Sequence, residues 1–191
     1  MSESSPSTAA AGLRIEPARP EDASVLATMI RELAAFERLE DACGMDVDTA
    51  RNHLTGCDRR AEAVIAWLEG EPAGFAVYYR TYSTFAARPG IHLEDLFVRE
   101  THRRKGIGKG LLYYVGSIAR YSGSGRFEWT TLHWNHDARA LYSKIGAREM
   151  SDWLLLRMEG DSLDEFCRGG RATGGDGCRC GGKGAGHACR T

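Results

Sequence analysis

The run from Glu94 to Gly110, Glu-Asp-Leu-Phe-Val-Arg-Glu-Thr-His-Arg-Arg-Lys-Gly-Ile-Gly-Lys-Gly, constrains this chain more than any other stretch. It opens as an apolar strand headed by two carboxylates, passes through a short polar turn, and enters a helix through three consecutive basic residues and spaced glycines. Glycine lets backbone approach a ligand closely, and the first free N–H groups of a helix point outward with the positive end of its dipole behind them. Arg103, Arg104 and Lys105 add formal charge at the same place, so an anion is expected at this turn. The spacing Arg103-x-x-Gly106-x-Gly108 matches neither the dinucleotide fingerprint G-x-G-x-x-G nor the G-x-x-x-x-G-K-[ST] loop.

The flanks give an alternating order of elements. Leu13–Ala18 reads as a strand, and Pro20-Glu21-Asp22 signals a helix start with acids where the dipole favours them. Val25, Leu26, Met29, Ile30, Leu33 and Phe36 then recur at helical spacing up to Arg38. A loop and a weak helix near Asp48–Leu54 follow. Val64–Leu68 and Gly74–Tyr82 read as a hairpin around Glu69-Gly70-Glu71-Pro72, and Ile91–Val98 as the next antiparallel strand. The spacing predicts a helix over Gly106–Tyr121, an alternating strand over Arg126–Leu132, and a helix from Asn135 to Ile145 closed by Gly146. A last strand pair, Ala147–Met150 and Trp153–Met158, is expected, with Leu163 and Phe166 in a closing turn. The helix between the strands ending at Val98 and starting at Arg126 makes those strands parallel neighbours by the right-handed crossover rule. The fold class is therefore α/β: a mixed, mostly antiparallel sheet with helices on both faces and a splayed parallel strand pair that leaves a slot for a linear ligand.

At 191 residues the chain holds one domain comfortably. The expected division is a disordered tail over 1–12, a domain over 13–166 and a disordered Gly/Cys/Arg-rich tail over 167–191. Met1–Gly12 has neither a basic start nor an apolar segment, and no apolar run approaches the ~20 residues of a membrane helix, so a cytoplasmic protein without a membrane partner is expected. The last 25 residues carry five basic side chains and one acid, leaving −5 on residues 1–166. That mildly acidic field suits a cationic substrate. The tail lacks aromatic residues for base stacking, so no nucleic-acid partner is expected. Cys178-x-Cys180 and a lone His187 fall short of a metal-ligand pattern, and no metal is expected. Cys43 and Cys57 read as inert thiols.

Three separated motifs agree with one family: the basic glycine turn, the strand Ile91-His92-Leu93-Glu94-Asp95-Leu96-Phe97-Val98, and Asn135 followed by Ala138, Leu141 and Tyr142. Together they resemble the Gcn5-related N-acetyltransferase (GNAT) superfamily over about Leu13 to Phe166. Within it, Glu32-Leu33-Ala34-Ala35-Phe36-Glu37, Phe75-Ala76-Val77-Tyr78-Tyr79, Leu93-Glu94-Asp95-Leu96-Phe97-Val98 and Leu141-Tyr142-x-x-x-Gly146-Ala147 resemble the diamine (spermidine/spermine) and thialysine acetyltransferase branch. Phe36-Glu37 tilts the likeness toward the thialysine and plant-type members, and His92 stands where an aromatic is common.

The resemblance implies an acyltransferase that moves acetyl from acetyl-CoA to a primary amine of a small basic substrate: a diamine or polyamine, or the side chain of thialysine, ornithine or lysine. It implies cofactor contacts at Leu96, Phe97, Val98, Arg103, Arg104, Lys105, Gly106, Ile107, Gly108, Lys109 and Asn135, and a homodimer. An alkylamine has a pKa near that of lysine, about 10.4, so a base must take its proton. Glu94 is the expected base and Tyr142 the expected acid for the leaving thiolate. Phe36, Glu37, Glu94, Asp95, Asp152 and Trp153 are the expected substrate contacts. Neighbouring strand residues face opposite sides, so Glu94 and Asp95 reach one substrate only if a bulge intervenes. A protein or peptide N-acetyltransferase and a non-catalytic acyl-CoA sensor are the competing readings.

Overall fold

The computed structural model describes residues 12–169. Five strands, β1 (Leu13–Pro17), β2 (Glu62–Leu68), β3 (Glu71–Ser83), β4 (Arg88–Val98) and β5 (Arg126–Trp129), form one sheet in the order β1-β2-β3-β4-β5. The first four are antiparallel in succession and β4 pairs with β5 in parallel. This is the expected mixed sheet with its single parallel pair.

Alternation along the strands divides their side chains between two apolar layers. Ala63, Ile65, Phe75, Val77 and Phe97 meet Leu26, Ala27, Met29 and Leu33 of helix α1 (Ala23–Glu37), together with Ala50 and Leu54. Ala50 ends the short helix α2 (Val47–Ala50), whose N-terminus Asp46 caps by accepting the Thr49 N–H at 2.7 Å; Leu54 lies in the π-helical turn that follows. Helix α3 (Ile107–Tyr121) buries Ile107, Leu111, Leu112, Val115 and Ala119. Its Gly110 lies over Leu13 and Ile15 of β1 and its Gly116 over Phe127 of β5, so α3 crosses the opposite face from edge to edge.

Arg99, just beyond β4, grips the Glu32 carboxylate with two N–H groups, each at 2.8 Å, and the Pro72 carbonyl with a third at 2.8 Å. The bidentate pair fixes α1 against the end of β4, and the carbonyl bond adds the start of β3.

Two pairings break register. One is between Ala66 and Trp67 in the β2–β3 ladder. The other sets Tyr78 opposite Leu93 and Val77 opposite Asp95, leaving Glu94 as an extra, unpaired residue on β4: a β-bulge. Pairing of β4 with β5 stops at Leu93, immediately before it. β5 consequently ends at Trp129, three residues earlier than its alternation suggests, because the edge it would have followed has turned away.

The chain divides into two compact units between Leu141 and Tyr142, a boundary inside helix α4 (His136–Lys144). Within the second unit Gly146 takes φ +87° and the Ala147 N–H donates to the Tyr142 carbonyl, closing α4 as its glycine predicts. The expected strands Ala147–Met150 and Trp153–Met158 do not form. Trp153, Leu154 and Leu156 are 72%, 84% and 87% exposed. Trp153–Leu156 is an unbroken apolar run rather than an alternating one, and β-propensity becomes a strand only where a paired edge satisfies its backbone. Leu163 and Phe166 lie on helix α5 (Gly160–Gly169), still largely exposed, in place of a closing turn. The Asp48–Leu54 expectation is met by α2 and its π turn. No helix among the described residues is long and apolar enough to cross a membrane. The reading of Cys57 as an inert thiol is corrected: it is disulfide-bonded, while among the described residues Cys43 and Cys167 are free. Disulfide pairing depends on which Cβ atoms tertiary structure brings together, and sequence does not show that.

A β-carbon at Gly74 would collide with the Phe97 carbonyl. Gly74→Ala is therefore expected to cost about 1–3 kcal/mol. Gly44→Ala, where a β-carbon meets nothing within 4 Å, should change stability far less. Urea unfolding of both variants checks the contrast.

Candidate active site

Between β4 and α3 the chain makes the turn singled out in the sequence. Arg104 and Gly106 both take left-handed backbone angles, φ 61° and 81°. Alternating hands of this kind turn successive N–H groups into a concave nest that receives an anion. No side chain caps the N-terminus of α3, so its first N–H groups are left for such a ligand. A β-carbon at Gly106 would meet open space, and the glycine is needed there for its positive φ. Gly108 lies above Leu96 and Val98. The Ile107 side chain belongs to the core, so that residue offers only backbone.

The Arg103 guanidinium donates from Nε to the Val98 carbonyl at 3.1 Å and lies 4.6 Å above the Phe36 ring. Phe36 in turn packs at 5.5 Å on Trp134. Lys109 Nζ lies 5.6 Å from the Tyr113 ring, while Arg104 and Lys105 are exposed beside the nest.

Beyond Leu93 no β5 residue pairs with β4, so Asp95 to Val98 border the opening where the parallel strands part. The residues expected to touch a cofactor, Leu96, Phe97, Val98, Arg103, Arg104, Lys105, Gly106, Ile107, Gly108 and Lys109, thus lie along one path from the splay to the nest. Asn135 belongs to the same unit and caps α4 through its Oδ1, which accepts the Ala138 N–H at 3.3 Å. A hydrogen bond from Asn135 to a ligand would come from its amide nitrogen.

The bulge decides the electrostatics. Asp95 is the register partner of Val77 and shares the α1 face. Glu94 reaches the same side, with Oε2 3.9 Å from Nε2 of His92, a residue that pairs with Tyr79 on that face. Burial, then the Glu94 charge, then the Glu37 charge push the Asp95 carboxyl up to about 6. Burial also raises Glu37, the last residue of α1. Three carboxylates therefore converge from a strand and a helix end, and like charges gathered around the buried Asp95 favour a cationic ligand that would restore its ionised form.

Of the expected substrate contacts, Phe36, Glu37, Glu94 and Asp95 are together in the first unit. Asp152 and Trp153 belong to the second, in an exposed turn where the Trp153 N–H donates to the Met150 carbonyl at 3.2 Å. Tyr142 opens that second unit on α4. Among the described residues no group of three His, Cys, Asp or Glu side chains is placed to hold a metal ion.

Sequence reasoning missed two neighbours of the cluster. Trp134 is brought to Phe36 by the turn before α4, and nothing in its spacing foretells that. Glu128 faces His92 across the parallel register. The alternation on each strand was visible, but the register was not.

The folded chain holds the Asp95 proton more tightly than an unfolded chain with the ordinary carboxyl value of 3.8. Its contribution to stability is therefore complete below about pH 3.8 and lost as pH rises through about 6. Asp95→Asn should be more stable than wild type by ~1–3 kcal/mol at pH 8 and should lose that advantage at pH 4. Urea unfolding at the two pH values measures it, and an equal difference at both would refute the assignment.

A profile of the acetyltransferase (GNAT) family matches residues 28–147. The chain is 34% identical over 151 residues to the thialysine N-epsilon-acetyltransferase of Caenorhabditis elegans, spanning 77% of this chain and 92% of that protein. It is 43% identical over 91 residues to an L-ornithine N5-acetyltransferase of Arabidopsis thaliana, spanning 48% of this chain and 40% of that protein. Among solved structures, an integron cassette protein from the mobile metagenome of V. cholerae superposes with a TM-score of 0.73 at 22% identity, covering 82% of this chain and 98% of its own. At that identity the likeness speaks for a shared fold.

Proposed function

The chain belongs to the acetyltransferase (GNAT) family and is an N-acetyltransferase; we propose that it moves acetyl from acetyl-CoA to a primary amine of a small basic substrate. The basic amino acids with a side-chain amine, thialysine and ornithine, are the favoured substrates, and diamines or polyamines the second set. The observation that carries this reading is the bulge at Glu94, which turns Glu94 and Asp95 to one side with Glu37 at the point where β4 leaves β5.

The nest at Arg104 and Gly106, the uncapped start of α3 and the adjacent basic side chains suit a pyrophosphate. The edge of β4 from Asp95 to Val98 suits an extended pantetheine arm with its thioester near the bulge, with Asn135 donating to the same arm. Acetyl-CoA supplies the activated acetyl carbon. Glu37 and Asp95 hold a substrate cation, and Phe36 and Trp134 offer aromatic faces to its alkylammonium. Glu94, more exposed than Asp95, takes the proton released as the amine nitrogen forms its bond to the carbonyl carbon. Freed N–H groups of β4 stabilise the oxyanion. Tyr142 gives its proton to the sulfur as the C–S bond breaks. Asp152 and Trp153 are assigned to the substrate side of the second unit, and the reaction is placed in the cytoplasm.

The apolar run Trp153–Leu156, exposed within its own unit, supports a homodimer as part of the same reading. Leu154→Glu with Leu156→Glu should then shift the sedimentation coefficient from dimer to monomer.

Thiol release from acetyl-CoA is to be followed against thialysine, ornithine, lysine, spermidine, putrescine and a histone-tail peptide. Turnover of one small amine is expected. Tyr142→Phe should lower kcat by about 10²–10⁴, the range of a lost general acid. Glu37→Gln should chiefly raise KM for the amine, by about tenfold for one lost charge-assisted contact. Turnover of the peptide alone would replace this reading with a protein acetyltransferase, and acetyl-CoA binding without any turnover would replace it with a sensor.

A further inference from the structure

His92 lies in the middle of β4 on the face that carries Glu94 and Asp95. Its ring is held by Tyr79, the register partner on β3, with centroids 5.0 Å apart and planes at 28°. On β5 its register partner is Glu128, whose carboxylate is paired with Arg126 at 3.2 Å. On its own strand, Nε2 is 3.9 Å from Oε2 of Glu94. A small rotation of the exposed Glu94 side chain, or one bridging water, closes that gap to a hydrogen bond. The imidazole is 19% exposed, enough to meet solvent at one edge while stacking fixes its plane.

The charged and aromatic groups facing the ring are Tyr79 on β3, Glu128 and Arg126 on β5, Glu94 and Asp95 on β4, and Glu37 at the end of α1 beside Asp95. Any aromatic ring could supply the stack on Tyr79. Only imidazole among them takes up and releases a proton between about pH 5 and 8.

We propose that His92 is the proton exit of the acetyl-transfer site, accepting at Nε2 the proton that Glu94 has taken from the amine and passing one to solvent from Nδ1. This rests on the small-amine reading above. The balance is simple: the amine N–H is broken and Glu94 gains an O–H; that O–H is broken and Nε2 gains the proton; Nδ1 loses its own, and the ring returns to neutral. Glu94 is thereby ionised again before the next amine arrives. A carboxylate crowded by Asp95 and Glu37 gains most from such an outlet, because each added proton otherwise has to leave through the same acidic pocket. His92 acts through Glu94 and is a positioning and relay residue, while Glu94 remains the group that meets the amine.

The test compares wild type with His92→Phe, which keeps the ring stack, and His92→Gln, which keeps polarity, in the thiol-release assay with the amine that wild type prefers. Both variants should lose about tenfold in kcat, less than the 10²–10⁴ of a primary acid or base, with KM for the amine nearly unchanged. Added free imidazole should raise kcat of His92→Gly several-fold. Thermal unfolding monitored on each variant separates folding loss from relay loss, since imidazole rescue requires a folded site. If His92→Phe keeps the wild-type kcat, or imidazole rescues nothing in a folded His92→Gly, the relay is wrong and the small-amine reading stands. If wild type acetylates no small amine, both are overturned.

Discussion

One extra residue in one ladder sets the terms for the rest of this molecule. With Glu94 unpaired between Leu93 and Asp95, β4 twists out of its parallel partnership and its edge is left open toward α3. The same insertion cancels the strand alternation that would send Glu94 and Asp95 to opposite faces. A bulge costs ladder hydrogen bonds and sharpens the local twist. It persists here because β3 remains paired with β4 on both sides of it, from Ser83–Arg88 to Gly74–Val98. The absent side chain at Gly74 permits the close approach of Phe97 that completes this pairing.

Around that point, burial and charge are balanced by named contacts. Arg99 holds Glu32 in a bidentate pair, fixing the helix whose last residue is Glu37. The Asp95 carboxyl, packed on the α1 face and repelled by Glu94 and Glu37, carries an unfavourable charge that a substrate cation would neutralise. Arg103 connects the two sides of the site. It belongs to the basic turn in sequence, yet it bonds the Val98 carbonyl and lies over Phe36, beside Trp134. An anion drawing Arg103 into the nest would release one face of Phe36.

The division of labour between the faces is equally physical. The α3 face is apolar from Leu13 to Phe127 and serves as foundation. The α1 face begins as core with Phe75, Val77 and Phe97 and becomes polar toward Tyr79, His92, Glu94 and Glu128. Polar and charged side chains gather where one continuous layer runs out of apolar side chains and the strand edge opens.

What the sequence determined by itself was local. Helical spacing from Val25 to Phe36, the alternation of β2 to β5, the crossover that makes β4 and β5 parallel, and the basic glycine turn are properties of short windows, written in side-chain periodicity and in the backbone freedom of Gly106. Four of the six expected substrate residues and the whole basic turn are found in one compact unit for that reason. Tertiary structure alone decided which residue is bulged, that β5 stops at Trp129, that Trp153–Met158 has no strand partner, and that Cys57 is bonded. It alone set His92 between Tyr79 and Glu128 and Trp134 against Phe36. Each of these is a pairing between distant segments, and register is fixed by the packing of whole layers rather than by the residues that end up facing each other.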